Sequence, residues 1–263
     1  MEIRNKTGKL IKRINGDTLV GADLRGLKLV DAYLWQANLA GAWLAGADLR
    51  GADLKNANMS DASMIGADLS LASCAGTNFA GADLTNAKLI AIDGPNACFD
   101  RATLRQSNFE SAILKRASFS HTALRMTHFD RVNARASAFD HANMNRVFFM
   151  SSDLQYASFF HCNLAAVSFD FSDLRNIQLV DVDVNWNSHE LLSELLWQAA
   201  AGDYEKSKVA AFITVAESMC WDDFLAIKDP LSRWAIGVLR SYGTDHSPVP
   251  DCIAVKRRKK GAV

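Results

Sequence analysis

The sequence predicts a mainly β solenoid of short repeats, followed by a small α-helical domain. Three observations predict it. Residues 16–185 divide into 34 consecutive blocks of five without a slip of frame, from Gly16-Asp17-Thr18-Leu19-Val20 to Asp181-Val182-Asp183-Val184-Asn185. The fourth residue of each block is Leu, Phe or Met, with Cys74, Gly94, Ala134 and Val184 as exceptions, and the second is mostly Ala. Beyond Asn185 this period stops and apolar residues recur at helical spacing. A period of five suits neither a helix, at about 3.6, nor a strand, at about 2, so it belongs to a repeat architecture.

Blocks such as Gly21-Ala22-Asp23-Leu24-Arg25 and Gly51-Ala52-Asp53-Leu54-Lys55 resemble the A(D/N)LXX pattern of the pentapeptide-repeat family. The resemblance covers residues 16–185, about two thirds of the chain. It implies a right-handed quadrilateral β-helix with four blocks, hence 20 residues, per coil and about 8.5 coils over this stretch. Geometry agrees. Large residues at position four and small ones at position two can both point inward if the chain turns a corner every five residues. The other three positions then face out, and Asp, Asn, Ser, Lys, Arg and Gly dominate there. At a strand spacing of about 4.8 Å the rod is roughly 40 Å long.

Residues 20 apart should stack. Phe79, Phe99, Phe119, Phe139 and Phe159 make one such column, and Phe109, Phe129, Phe149 and Phe169 another on the opposite side. Leu104, Leu124, Met144 and Leu164 lie between them, as do Leu114, Leu154 and Leu174. Alternating Phe and Leu sides fill a narrow core without voids. Asn38, Asn58 and Asn78 form an outer column suited to an amide ladder. At Ala91–Pro95 a distortion is expected, because Gly94 leaves an inward void and Pro95 cannot donate a ladder hydrogen bond.

The ends differ from the middle. Residues 1–15 alternate apolar and polar around Asn5-Lys6-Thr7-Gly8 and read as a hairpin that caps the first coil, whose strand edge is otherwise unpaired. Residues 186–243 read as a helical capping or dimerisation domain. Asn187, with Glu190 three residues on, caps a helix that stops at Gly202. Asp203 caps a second, with Val209, Phe212, Ile213, Ala216 and Met219 on one stripe. Asp222 starts a short turn through Ile227, and Asp229-Pro230 opens a last helix ending at Gly243. The apolar residues here, Leu195, Trp197 and Trp234 among them, are more than a unit this small hides from itself. Some are expected to face the rod or a second chain. Residues 244–263 end in Lys256-Arg257-Arg258-Lys259-Lys260 and read as a flexible basic tail.

Lys plus Arg equals Asp plus Glu at 29 each, but the balance is banded. Residues 16–100 hold ten Asp against five basic residues, residues 101–146 eight basic residues against Glu110, Asp130 and Asp140, and residues 147–185 five Asp against Arg175. The basic residues of the middle band are spread over several faces, so direct nucleic-acid binding is not expected. Five cysteines without CxxC or disulfide spacing, and a polar N-terminus, lead to the expectation of a reducing, cytoplasmic location. There is no apolar run long enough for a membrane span.

The sequence has no P-loop, GxGxxG, HExxH or GxSxG motif, so no enzyme, cofactor or catalytic residue is expected. His121, His141 and His161 stack on one corner, between Arg101 and Asp181, and are the one candidate for a divalent-metal site. Exposed aromatic and apolar residues are the better clue to function. Trp35 and Trp43 occupy outward positions early in the rod, and Phe148, Met150 and Phe171 share a face late in it. With Leu195, Trp197 and Trp234 these are the interface candidates. The expected function is a non-enzymatic scaffold whose rigid rod docks a protein partner. The family resemblance implies an alternative. Some members are similar to B-form DNA in size, shape and charge, bind type II topoisomerases such as DNA gyrase, and dimerise through C-terminal helices. On that implication the partner is DNA gyrase or topoisomerase IV and the chain is a homodimer. A zero net charge and a basic middle band depart from such mimicry.

Overall fold

The computed structural model describes residues 1–14, 16, 18–184, 188–215 and 230–242. The chain divides into two compact units, Met1–Val182 and Asp183–Val263. The first is a right-handed quadrilateral β-helix. Residues at the third position of successive coils pair in parallel at a spacing of twenty, from Asp23 with Trp43 to Ser158 with Gln178. The backbone amide at position four bonds to the coil ahead and that at position three to the coil behind, as Leu24 N to Trp43 O (2.8 Å) and Trp43 N to Ala22 O (2.9 Å) show. A turn follows each inward residue, closed for example by Ala32 N donating to Leu29 O at 3.0 Å.

The corner has a price in backbone strain. The first residue of every block from Gly21 to Asp181 has a positive φ, Ala166 excepted. Gly accepts this conformation freely, and other residues lose about 1 kcal/mol to it. Eight of the corners up to residue 81 are Gly, but from Asn86 onward none is. The later corners therefore carry His, Arg, Tyr and Phe.

The core is built from two Phe columns. Phe79, Phe99, Phe119, Phe139 and Phe159 stack at 4.8–5.2 Å, their planes within 6° of parallel. Phe109, Phe129, Phe149 and Phe169 stack at 4.9–5.5 Å. The two columns meet edge to face, as between Phe119 and Phe129 at 5.4 Å and 86°. Offset or edge contacts of this kind add to the gain from burial alone. All nine rings are fully buried. Buried hydroxyls at position two bond to carbonyls: Thr77 and Thr127 donate to Leu54 O and Leu104 O, both at 2.7 Å.

The expected distortion at Ala91–Pro95 is absent. Asp93 bridges to both Ser73 and Ile113, and the ladder runs through. Two reasons explain this. The Ile92 side chain comes within 3.6 Å of where a Gly94 Cβ would lie and fills the gap from position two. Pro95 stands at position five, whose amide takes no part in the ladder in any described block. The ladder lapses elsewhere: no bridge joins Asn143 to Asn163, one turn before Ala166.

At the N-terminus β1 (Glu2–Arg4) and β2 (Leu10–Arg13) pair antiparallel. This hairpin bonds to the first coil through Tyr33 N to Arg4 O (2.8 Å) and Lys6 N to Asp31 O (3.0 Å), and Ile3 is buried.

The second unit contains α1 (His189–Ala200), α2 (Tyr204–Val215) and α3 (Pro230–Ser241). The cap of α1 is Ser188, one residue later than expected, whose hydroxyl accepts from Leu191 N. The helix ends through a left-handed Ala201 followed by Gly202 at φ 85°. Asp203 Oδ1 accepts from the amides of Glu205 and Lys206 and caps α2. On α2 Ser207, Ala210 and Ile213 are buried; Ile213 belongs to the predicted stripe, Val209 is half-buried, and the Phe212 side chain lies outside what is described. Ala216, Met219, the turn at 222–227 and the basic tail lie outside the described residues. Among those described, no helix is long and apolar enough to cross a membrane.

Phe119 touches rings above, below and across from it. Phe119→Ala should cost about 3–5 kcal/mol, read as a lowered midpoint in urea. An unchanged midpoint would contradict the packed core.

Candidate interaction surface

Positions three, five and one make most of the surface. The Asp or Asn at position three accepts from the amide of position five, as in Lys55 N to Asp53 (3.3 Å), Ser60 N to Asn58 (3.1 Å) and Thr85 N to Asp83 (3.0 Å). This Asx turn satisfies the one amide the ladder leaves over. Where Arg follows two residues later the pair also forms a fork: Arg25 holds Asp23 at 2.7 and 2.8 Å. The guanidinium lowers the Asp23 carboxyl to about 2. Asn58 and Asn78 each donate to the Asn one coil earlier at 3.2 Å, which is the amide ladder the sequence predicts.

Positions five and one flank each corner, so every corner carries two adjacent outward columns. In the middle coils this sorts the charge. Arg105, Arg125 and Arg146 line one corner, and Lys115, Arg116 and Arg135 the corner diagonally opposite. Asp100 and Asp140 lie on a third, Glu110 and Asp130 on the fourth. Six of the eight basic residues of this band are thus gathered on two corners rather than spread out.

Two clefts open along these corners. One, of about 480 Å³, is lined by Pro95, Asn96, Lys115, Arg116, Arg135, Ala136 and Tyr156. The Arg135 guanidinium lies 5.5 Å from the Tyr156 ring and 3.6 Å from Asp153. The other, of about 350 Å³, brings Asp61, Asp100, Arg101 and His121 together with Cys98.

His121, His141 and His161 do stack, at 4.7 and 4.6 Å. Their rings are parallel to within 17°. Parallel imidazoles point their lone pairs side by side, whereas a tetrahedral ion needs them to converge. Asp181 sits 3.4 Å from His161 Nδ1. Among the described residues no group of His, Cys, Asp and Glu is arranged to hold a metal ion.

The apolar candidates separate. Trp43 is 54 % exposed and lies under the Arg25 guanidinium; Trp35 is 45 % exposed, on the opposite side of the rod. They make no common patch. Phe148, Met150 and Phe171 do share one side, and Phe171 is 72 % exposed. Phe148 is stacked on His128 at 4.8 Å, a contact the twenty-residue register foretells. In the helical unit Trp197 is exposed and Trp234 half-buried, with Lys206 Nζ 5.6 Å from its ring. Leu195 is fully buried with Leu191, Leu192 and Leu196, so it is a core residue and presents nothing to a partner.

The family model for pentapeptide repeats matches in eight copies, over stretches that include residues 19–56, 57–93 and 112–149. The chain belongs to the pentapeptide-repeat family. No curated protein sequence matches it. Among solved structures it is similar to HetL of the cyanobacterium Nostoc sp., involved in heterocyst differentiation regulation (21 % identity, 65 % of this chain and 93 % of HetL, TM-score 0.28). It is similar to QnrB1, a plasmid-mediated fluoroquinolone resistance protein (18 % identity, 70 % of this chain and 93 % of that one, TM-score 0.42). A pentapeptide repeat protein of the Arabidopsis thaliana thylakoid lumen is 30 % identical over 41 % of this chain and 68 % of its own, with a TM-score of 0.24. Scores this low leave the family assignment to the repeat itself.

Two free cysteines are buried in the rod, Cys74 and Cys162. Burial pushes both thiols up, Cys162 to about 11 and Cys74 further. An unfolded thiol ionises from about pH 8.5, so the folded form loses ground as pH rises from there toward 11. Urea midpoints should fall between pH 8 and 10. In Cys162→Ala, which restores the usual residue of position two, that fall should shrink by roughly 2 kcal/mol. An identical fall in both proteins would show that Cys162 is not the buried thiol described.

Proposed function

We propose that the chain is a non-enzymatic scaffold whose four-sided rod docks a protein partner. The observation that carries this reading is the fixed lattice of outward columns. Each surface side chain stands on a backbone bonded to the coils before and after it, so little order is lost on binding. Sorted charge on that lattice supports specific docking. The exposed side made by Phe148, Met150 and Phe171 supports an apolar contact beside it. Trp35 and Trp43, on opposite sides, would each serve a separate contact.

A second reading is a DNA-mimic modulator of DNA gyrase or topoisomerase IV. It is favoured by the acidic excess of residues 16–100, ten Asp against five basic residues. A homodimer through residues 186–243 would accompany it. The basic corners of the middle coils oppose it, since a duplex mimic should be negative along its length.

One pair of experiments separates the readings. The full chain, immobilised, should retain a partner from its source cell, and a variant reversed in charge at Arg105 and Arg125 or at Lys115 and Arg116 should lose it while keeping its far-UV spectrum. Retention unchanged in every variant would contradict docking on the charged lattice. In parallel, supercoiling by purified gyrase should be unaffected by the protein. Protection or inhibition at micromolar concentration would favour the second reading instead.

A further inference from the structure

Resting on the scaffold reading, we propose that the cleft between Lys115, Arg116, Arg135 and Tyr156 is the docking site for a short acidic peptide segment of the partner. The cleft has a clear structural cause. Its corner column runs Asn96, Arg116, Ala136, Tyr156, and beside it run Pro95, Lys115 and Arg135. Ala136 is short between two long side chains. That leaves a notch two coil spacings wide, roughly 10 Å, with Arg116 on one side and the Tyr156 ring on the other. Three cations reach this notch, and no acidic residue lines it. Among the described residues Lys115 and Arg116 form no ion pair, and Arg135 has Asp153 at 3.6 Å. The second cleft, by contrast, sets Asp61 and Asp100 against Arg101.

Unpaired like charges this close repel one another, and an anion relieves that cost. Arg116 and Arg135 offer forked donors to a carboxylate. The Tyr156 ring, 49 % exposed, offers a flat wall to the apolar part of a peptide. The size of the basic area decides between a peptide and a nucleic acid. On the adjoining side the third-position column reads Asp53, Ser73, Asp93, Ile113, Asn133, Asp153, Asp173, so carboxylates stand before and after the cleft. DNA carries a charge about every 1.7 Å and would run onto them at both ends. A segment with two or three carboxylates would not.

The test uses the full chain and a fluorescein-labelled decapeptide of alternating Asp and Ala, followed by anisotropy at low salt. Binding should be measurable, with Kd below roughly 100 µM. Lys115→Gln with Arg116→Gln should weaken it at least tenfold. Lys28→Gln with Lys88→Gln, an equal loss of charge on a side of the rod away from the cleft, should change it less than twofold. A single-stranded oligonucleotide of twenty nucleotides should bind more weakly than the peptide. Thermal melts of both variants guard against lost folding. No binding to the wild-type chain, equal weakening by both variants, or tighter binding of the oligonucleotide would overturn the proposal. If the peptide fails while the chain still retains a partner from cells, the cleft assignment falls and the scaffold reading stands.

Discussion

Coils twenty residues apart are held together by backbone hydrogen bonds, and those bonds close only if the chain turns after every fifth residue. The turn sets a positive φ at the first residue of every block from Gly21 to Asp181 except Ala166. It leaves one amide, at position five, without a backbone acceptor. Most other features follow from these two requirements. Gly, Asn and Asp are cheap at the first position, where bulkier residues are strained by about 1 kcal/mol. Asp or Asn at position three takes the leftover amide. Proline, excluded from a ladder in general, is harmless at position five, and the rod's only proline, Pro95, stands there. At the two smallest fourth positions the second position is larger than Ala: Ile92 accompanies Gly94 and Val132 accompanies Ala134.

The rod was legible in the sequence because one register governs every residue in it. The stacked Phe columns, the Asn ladder and the His stack all follow from counting by twenty. What escaped was the role of single positions within the block. The void at Gly94 looked real because position four was read alone, without its neighbour Ile92. The Asp residues are expected only to face out, yet those at position three accept a specific amide, as Asp53, Asp68 and Asp83 do. Outside the rod no such register exists. The cap of α1 falls on Ser188 rather than Asn187, and of the predicted α2 stripe Ile213 is buried while Val209 is only half-buried, because helix patterns of about three turns leave that much freedom. Leu195 is an interface candidate by sequence because the helical unit holds more apolar residues than it can hide, yet it is fully buried, and hydrophobicity alone does not tell a buried residue from an exposed one.

The surface was only half legible. Net charge is zero and the basic band seemed diluted, yet the fold gathers its cations on opposite corners. The early corners are mostly glycine, while the later ones carry Arg, His and Tyr, and Arg116 and Tyr156 on one of them wall the cleft of about 480 Å³. Strain accepted at those corners is consistent with surface chemistry retained for binding.

Amide hydrogen exchange of the native chain, resolved residue by residue, tests the account most directly. The five-residue lattice predicts a matching period in protection across residues 21–180. Amides at positions one, three and four should exchange slowly, and those at position five, held at most by a side chain, should exchange fastest in nearly every block. Protection without a period of five, or position-five amides as slow as their neighbours, would contradict the lattice on which the rest of this structure depends.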